Sequence, residues 1–170
     1  MKSIILVCCL LVAAGGWAVA TPPPAAAVHL TAPEKAMLVL INHARTTRGR
    51  HALRVVASLE RASRSHSRDM LKRGYFSHSS SSGSSYAARL RAFGYSATGC
   101  TCWKVGEIIG WGRGSKAAAI VFRQWMKSPV HRAVILQRSF RDIGVGRVAG
   151  TLGGLDGVSM FTVDFGRRVK

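Results

Sequence analysis

Cysteine is nearly missing from the body of this chain. Four occur in 170 residues, and two of them, Cys8 and Cys9, fall in an apolar N-terminal run. Beyond that run only Cys100 and Cys102 remain, so no disulfide framework staples the fold and a hydrophobic core must hold it. A C-x-C pair is too close for an unstrained bridge, and alone it makes a poor zinc signature. Two thiols, or one local bridge in a surface loop, is the plain reading. Acids are scarce too: seven Asp and Glu stand against 25 Lys and Arg, a formal charge of +18. A field of that size attracts polyanions such as nucleic acid, anionic lipid or acidic wall polymers. Arginine outnumbers lysine and Asn42 is the only asparagine, a bias that GC-rich coding also produces, so composition alone leaves the meaning of the charge open. Several catalytic signatures are absent. Gly157-Val158-Ser159-Met160 lacks the second glycine of a nucleophile elbow, no H-E-x-x-H occurs, and Gly144-x-Gly146 follows no dinucleotide-binding spacing. No internal repeat is visible.

What is present begins with a secretory signal over residues 1–20. Lys2 precedes an apolar run from Ile4 to Ala14, too short for a secure bilayer span, and Ala18-Val19-Ala20 offers a cleavage pattern. Cleavage there would leave 150 residues, enough for one domain with a real core, and a net charge of about +17 once Lys2 is gone. No transmembrane segment would remain. Residues 21–30, with three prolines, read as an extended linker, and residues 31–170 as the domain.

Within the domain, Thr31-Ala32-Pro33-Glu34 is a capping-box pattern that starts a helix ending before Gly49. A second helix is expected from Ser58 to Arg73, stopped by Gly74. Its Leu59, Ala62, His66 and Met70 share one side, with Arg61, Arg64, Arg68 and Lys72 opposite. A serine-rich loop covers 77–85, and a short helix runs from Ser84 or Ser85 to Phe93. Tyr95 to Lys104 reads as irregular, and Val105 to Trp111 as a strand. Ser115 caps a mostly apolar helix to Lys127, followed by a helical piece from Pro129 to Leu136. Ile143–Ala149 and Val158–Phe165 alternate like strands around a Gly-rich hairpin at 150–157. The order predicts an α+β fold, a three-layer α/β/α sandwich around a small antiparallel sheet.

Four segments follow one another at telling intervals: Gly74-Tyr75-Phe76-Ser77-His78, Gly106-Glu107-Ile108-Ile109, Trp125 through Arg132, and Ile143-Gly144-Val145-Gly146. Their order resembles the CAP (SCP-like) superfamily of cysteine-rich secretory, antigen 5 and plant pathogenesis-related proteins, and more closely its small secreted bacterial branch, from about Glu34 to Gly166. The resemblance implies a secreted or cell-envelope protein whose cleft gathers His78, Glu107 and His131. Two imidazoles and a carboxylate form a sensible divalent-metal set, zinc first, with an open position for water or substrate. The sequence departs from the family where relatives carry two asparagines and a glycine: here stand Ile108, Val134 and Val130. Side chains that would orient the ligands are thereby lost, and the second cleft glutamate of eukaryotic relatives has no counterpart near Trp125. His66 and Asp69, at i, i+3, could add a ligand or could simply be a hydrogen-bonded core histidine and its neighbour. Three functions compete. One is a cleft that binds a metal or small polar or lipidic ligand; another is a metal- or Glu107/His-dependent hydrolase of peptide or ester bonds. The last is a basic adhesin for anionic cell-envelope polymer or anionic lipid. Export argues against nucleic acid as the partner, and a monomer is expected.

Overall fold

The computed structural model describes residues 28–169; the expected signal peptide and most of the linker lie outside them. Helix α1 (Ala32–Thr46) starts where the capping pattern predicts. Glu34 accepts hydrogen bonds at 2.8 Å from both the backbone N and the Oγ1 of Thr31. The elements that follow are β1 (Arg54–Val55), α2 (Ala57–Arg73), α3 (Tyr86–Ala92), β2 (Cys102–Arg113), α4 (Ala117–Lys127), α5 (Pro129–Ile135), β3 (Asp142–Leu152) and β4 (Leu155–Val169). Ser85 caps α3 by accepting from Ala88 N at 3.2 Å, whereas Ser115 caps nothing and Lys116 precedes α4. Gly74, at φ 68°, ends α2 in the left-handed conformation that favours glycine.

The four strands lie in the order β1-β3-β4-β2. The three long strands are antiparallel, and the two-residue β1 adds a parallel pairing to β3. So short a strand leaves no periodicity to read in the sequence. The sheet is larger than the alternating segments suggested: Cys102–Lys104, expected to be irregular, pair with Arg167–Val169. The β3–β4 turn is two glycines, Gly153 and Gly154, both at positive φ, the requirement of a two-residue hairpin.

Helices cover both faces. On one side α1, α4 and α5 close a core that includes Met37, Ile41, Val121, Trp125, Phe161 and Phe165. On the other, α2 lies directly on β3 and β4. Its approach depends on Gly144 and Gly146, because a Cβ at either position would collide with the backbone of Leu59–Glu60 or Ser63–Arg64. Beyond the short β1, the outer edge of β3 is closed by a side chain. Glu34, fully buried, accepts Arg147 N at 3.0 Å and is gripped by Arg64 Nε at 2.8 Å and Nη2 at 2.6 Å. Burial pushes the Glu34 carboxyl up, but these bonds outweigh it and hold it below the usual range. Arg64 also pairs with Glu60. It therefore turns onto the protein, and the solvent-facing row on α2 keeps Arg61, Arg68 and Lys72.

Candidate functional site

Glu107 sits on β2, the edge strand, directly opposite Asp164 of β4. Alternation sends both side chains to the α2 face, while Ile108 and Val163 join the opposite core. Both carboxyls are buried, yet they have different partners. Glu107 Oε2 is paired with the guanidinium of Arg89 from α3, and Oε1 lies 2.7 Å from His78 Nδ1. Asp164 Oδ2 accepts from Ser63 Oγ of α2 at 2.7 Å, and Oδ1 has no partner. Burial and the charge of Glu107 push Asp164 well above the usual carboxylate range. The two carboxyls thus lie side by side with a single arginine, which is bound to Glu107.

Arg89 also donates to Ser80 Oγ at 2.7 Å and reaches His78 O at 3.5 Å, tying the serine loop to the cleft floor. Set against the Glu107 carboxylate, His78 Nδ1 is the donor, and Nε2 is left open. His131 lies on α5, which packs against β2. Its Nδ1 lies 2.8 Å from Ser128 Oγ, and burial, then the charge of His78, lowers its pKa. His131 makes no hydrogen bond to His78 or Glu107 among the described residues. His78 and Glu107 touch, whereas His131 lines a groove that neither of them borders.

A groove of about 610 Å³ leads away from His131 along β2 and α4. Phe76, Ile109, Trp111, Ile120 and Trp125 supply its apolar walls, with Gln124 and Arg113 as further polar groups. Gly110 and Gly112 keep the strand surface low: a Cβ at Gly110 would strike Val121 and Trp125. Trp125 is fixed by a 2.9 Å bond from Nε1 to Ile109 O.

The donor set does not fit a three-ligand zinc centre. Both Glu107 oxygens are already engaged, one by a guanidinium, and a cation approaching them would meet the positive charge of Arg89. Among the described residues no three His, Cys, Asp or Glu side chains are placed to hold one metal ion. Glu107 instead resembles the carboxylate that orients a histidine from behind. The positions where family asparagines were missing are apolar packing sites: Ile108 is buried and Val134 lies against the core. Val130 is exposed.

His66 and Asp69 do not act together. His66 is buried, its Nε2 2.8 Å from Ser77 O, and burial, then the nearby Arg89, lowers its pKa. Asp69 pins the serine loop by accepting from Tyr75 Oη at 2.5 Å and from Ser81 N and Oγ at 3.0 and 2.9 Å. Cys100 and Cys102 are both free thiols, and Cys102 opens β2 rather than lying in a loop. Sequence reasoning missed Arg89 and Asp164. Asp164 was visible as an acid between Val163 and Phe165 in an apolar strand; Arg89 gave no sign among so many arginines.

This arrangement is an α/β/α sandwich with His78 set against Glu107 at its edge strand. The sequence profile of the cysteine-rich secretory protein family, CAP, matches residues 38–165, and the chain belongs to that family. It is 34% identical over 119 residues to protein YkwD of Bacillus subtilis (strain 168), a match that takes in 70% of this chain and 44% of YkwD. The chain thus spans less than half the length of that relative. An outer surface protein from Borrelia burgdorferi shares the fold at TM-score 0.67 and 19% identity, covering 83% of this chain and 96% of that one. An SCP-domain extracellular protein from Bacillus anthracis str. Ames gives 0.63 and 22%, covering 85% and 45%. No helix among the described residues is long and apolar enough to cross a membrane.

Proposed function

We propose that this chain is an exported binding protein of the CAP family. Its groove takes a small amphipathic molecule, with a polar head at His131 and an apolar tail along Trp111 and Trp125. One observation carries the reading: His131 lines a largely apolar groove of about 610 Å³, a volume suited to a small-molecule ligand. Export is supported by the Ala18-Val19-Ala20 pattern and by the family's secretory name. Binding is favoured over hydrolysis because Glu107, the candidate base, already holds Arg89 and His78 on its two oxygens. Its side chain is also fully buried, so an attacking water has no open path to it.

Laurate, below its micellar concentration, is a suitable probe: a carboxylate head for the imidazole and a tail for the groove. Saturable quenching of tryptophan fluorescence is expected. His131→Ala should weaken it about ten-fold, the loss of roughly 1.4 kcal/mol for one charge-assisted bond. Equal affinity in the variant, or no saturation, would overturn the reading. Zinc titrated calorimetrically into the same protein should bind weakly; tight zinc binding abolished by His131→Ala would instead establish a metal centre.

A further inference from the structure

The acids of this protein are spent inside it. Glu34, Glu60, Glu107, Asp142 and Asp164 are buried, Asp69 is half-buried, and only Asp156 in the β3–β4 hairpin stands exposed. The surface is therefore more uniformly cationic than the net charge implies, and six of its arginines gather at one end. Where the C-terminal end of α1, the α5–β3 connection and the last residues of β4 meet, two adjoining recesses open. Arg54, Arg141, Arg167 and Arg168 line the larger, of about 520 Å³. Arg50 and Arg138 join Arg141 in the smaller, of about 260 Å³, and His51 borders both.

These arginines are held rather than loose. Arg141 Nη1 donates to Arg138 O at 2.7 Å and Phe140 O at 2.9 Å, and Arg50 Nε donates to Leu136 O at 3.2 Å. The Arg168 guanidinium stacks 4.3 Å over the Tyr95 ring. The nearby carboxylate, Asp142, is buried and taken up by Arg54 Nε at 2.6 Å and Tyr95 Oη at 2.7 Å. Carbonyl partners aim a guanidinium without neutralising it, so most of the positive charge is left for an outside anion.

Beneath the recesses lies a further cation. Arg45 is completely buried and is met by carbonyls alone: His51 O at 2.9 Å, Ile135 O at 2.5 Å, Gln137 O at 3.1 Å and Phe140 O at 3.3 Å. A buried charge with no counterion is costly. Burial, with Arg141 and Arg50 close by, lowers its pKa to about 10. Its field reaches the recess floor with little solvent between.

We infer that this end of the sandwich, apart from the cleft, is a docking site for a phosphate-bearing polyanion. Guanidinium forks match phosphate oxygens in bidentate pairs, and arginines placed around a recess suit a tetrahedral group better than a planar carboxylate. Two recesses sharing His51 and Arg141 suit successive phosphates of one chain.

Labelled inorganic polyphosphate is the probe, read by anisotropy across a salt series. Arg138 and Arg168 are exposed, so Arg138→Gln/Arg168→Gln should fold normally. The charge-matched control is Arg61→Gln/Arg68→Gln on α2, also exposed. The first pair should lose roughly ten-fold in affinity and flatten the log–log salt slope by about 1–2; the control should lose less than about three-fold. Equal losses in both pairs would reduce the site to general basicity. Polyglutamate of matched length binding as tightly would exclude phosphate selectivity. Free inorganic phosphate should compete only at far higher phosphate concentration; competition at parity would overturn the chain reading.

Discussion

Arg89→Met removes the cation that faces the buried carboxyl pair and leaves the apolar bulk of the side chain. The side chain of Glu107 is 0% exposed and that of Arg89 only 6%, so water cannot replace the lost partner. Asp164 is itself pushed well above the usual carboxylate range, and His78 is the remaining neighbour, itself half exposed. Removing one member of a buried pair costs about 3–5 kcal/mol. For a domain of this size that corresponds to a fall of roughly 10–15 °C in Tm. Urea unfolding followed by circular dichroism should show the loss as a lower midpoint at unchanged slope. Arg89→Met/Glu107→Gln is the decisive companion, because the amide carries no charge to strand. The double variant should recover more than half of the loss. A single variant within about 1 kcal/mol of wild type, or a double variant no better than the single, would refute the assignment of Arg89 as the counter-charge of Glu107.

Three further outcomes are expected. Asp69 is pushed up by burial, but bonds from Tyr75, Ser81 and Arg73 outweigh this and hold it at about 2, below its ordinary 3.8. Its contribution is therefore complete above pH 3.8 and lost as pH falls from there toward 2, on the order of 1–2 kcal/mol after solvent screening; Tyr75→Phe should blunt that acid limb in a melting series. Gly146→Ala places a Cβ on the backbone of Ser63 and Arg64 and should cost at least about 2 kcal/mol by lifting α2 from the sheet, measured by thermal unfolding. Exported protein should begin at Thr21 on N-terminal sequencing; an intact residue 1–20 segment would contradict export by cleavage.

The fold was legible where pattern and punctuation agreed. The capping box at Thr31–Glu34, the Gly74 stop and the alternation in β3 and β4 each point to the element that forms. Boundaries that depend on partners were not legible: Cys102–Lys104 become strand only because Arg167–Val169 lie beside them. The parallel strand β1 is two residues long and exists through its pairing with Asp142 and Ile143. Glu107 and His78 came from family-like segments rather than from spacing, since 29 residues separate them. Arg64 shows the limit of a helical wheel. The wheel sets it among solvent-facing arginines, but Glu34 from α1 turns it inward, and no pattern within one helix contains that contact. The poor fit of Glu107 to a three-ligand metal set likewise comes from Arg89, whose side chain reaches Glu107 across 18 residues of sequence.

Nitrogen-edited NMR of the processed protein during a laurate titration tests the cleft most directly. Removal of the leader with Trp17 leaves Trp103, Trp111 and Trp125 as the indoles. Trp111 and Trp125 line the groove beside His131, whereas Trp103 lies under Arg91 and bonds Tyr95 O. The indole signal of Trp111 and the imidazole signals of His131 should shift together and saturate at one ligand per chain, with Trp103 unmoved. Shifts at Trp103, or at none of the indoles, would contradict the groove as the binding site.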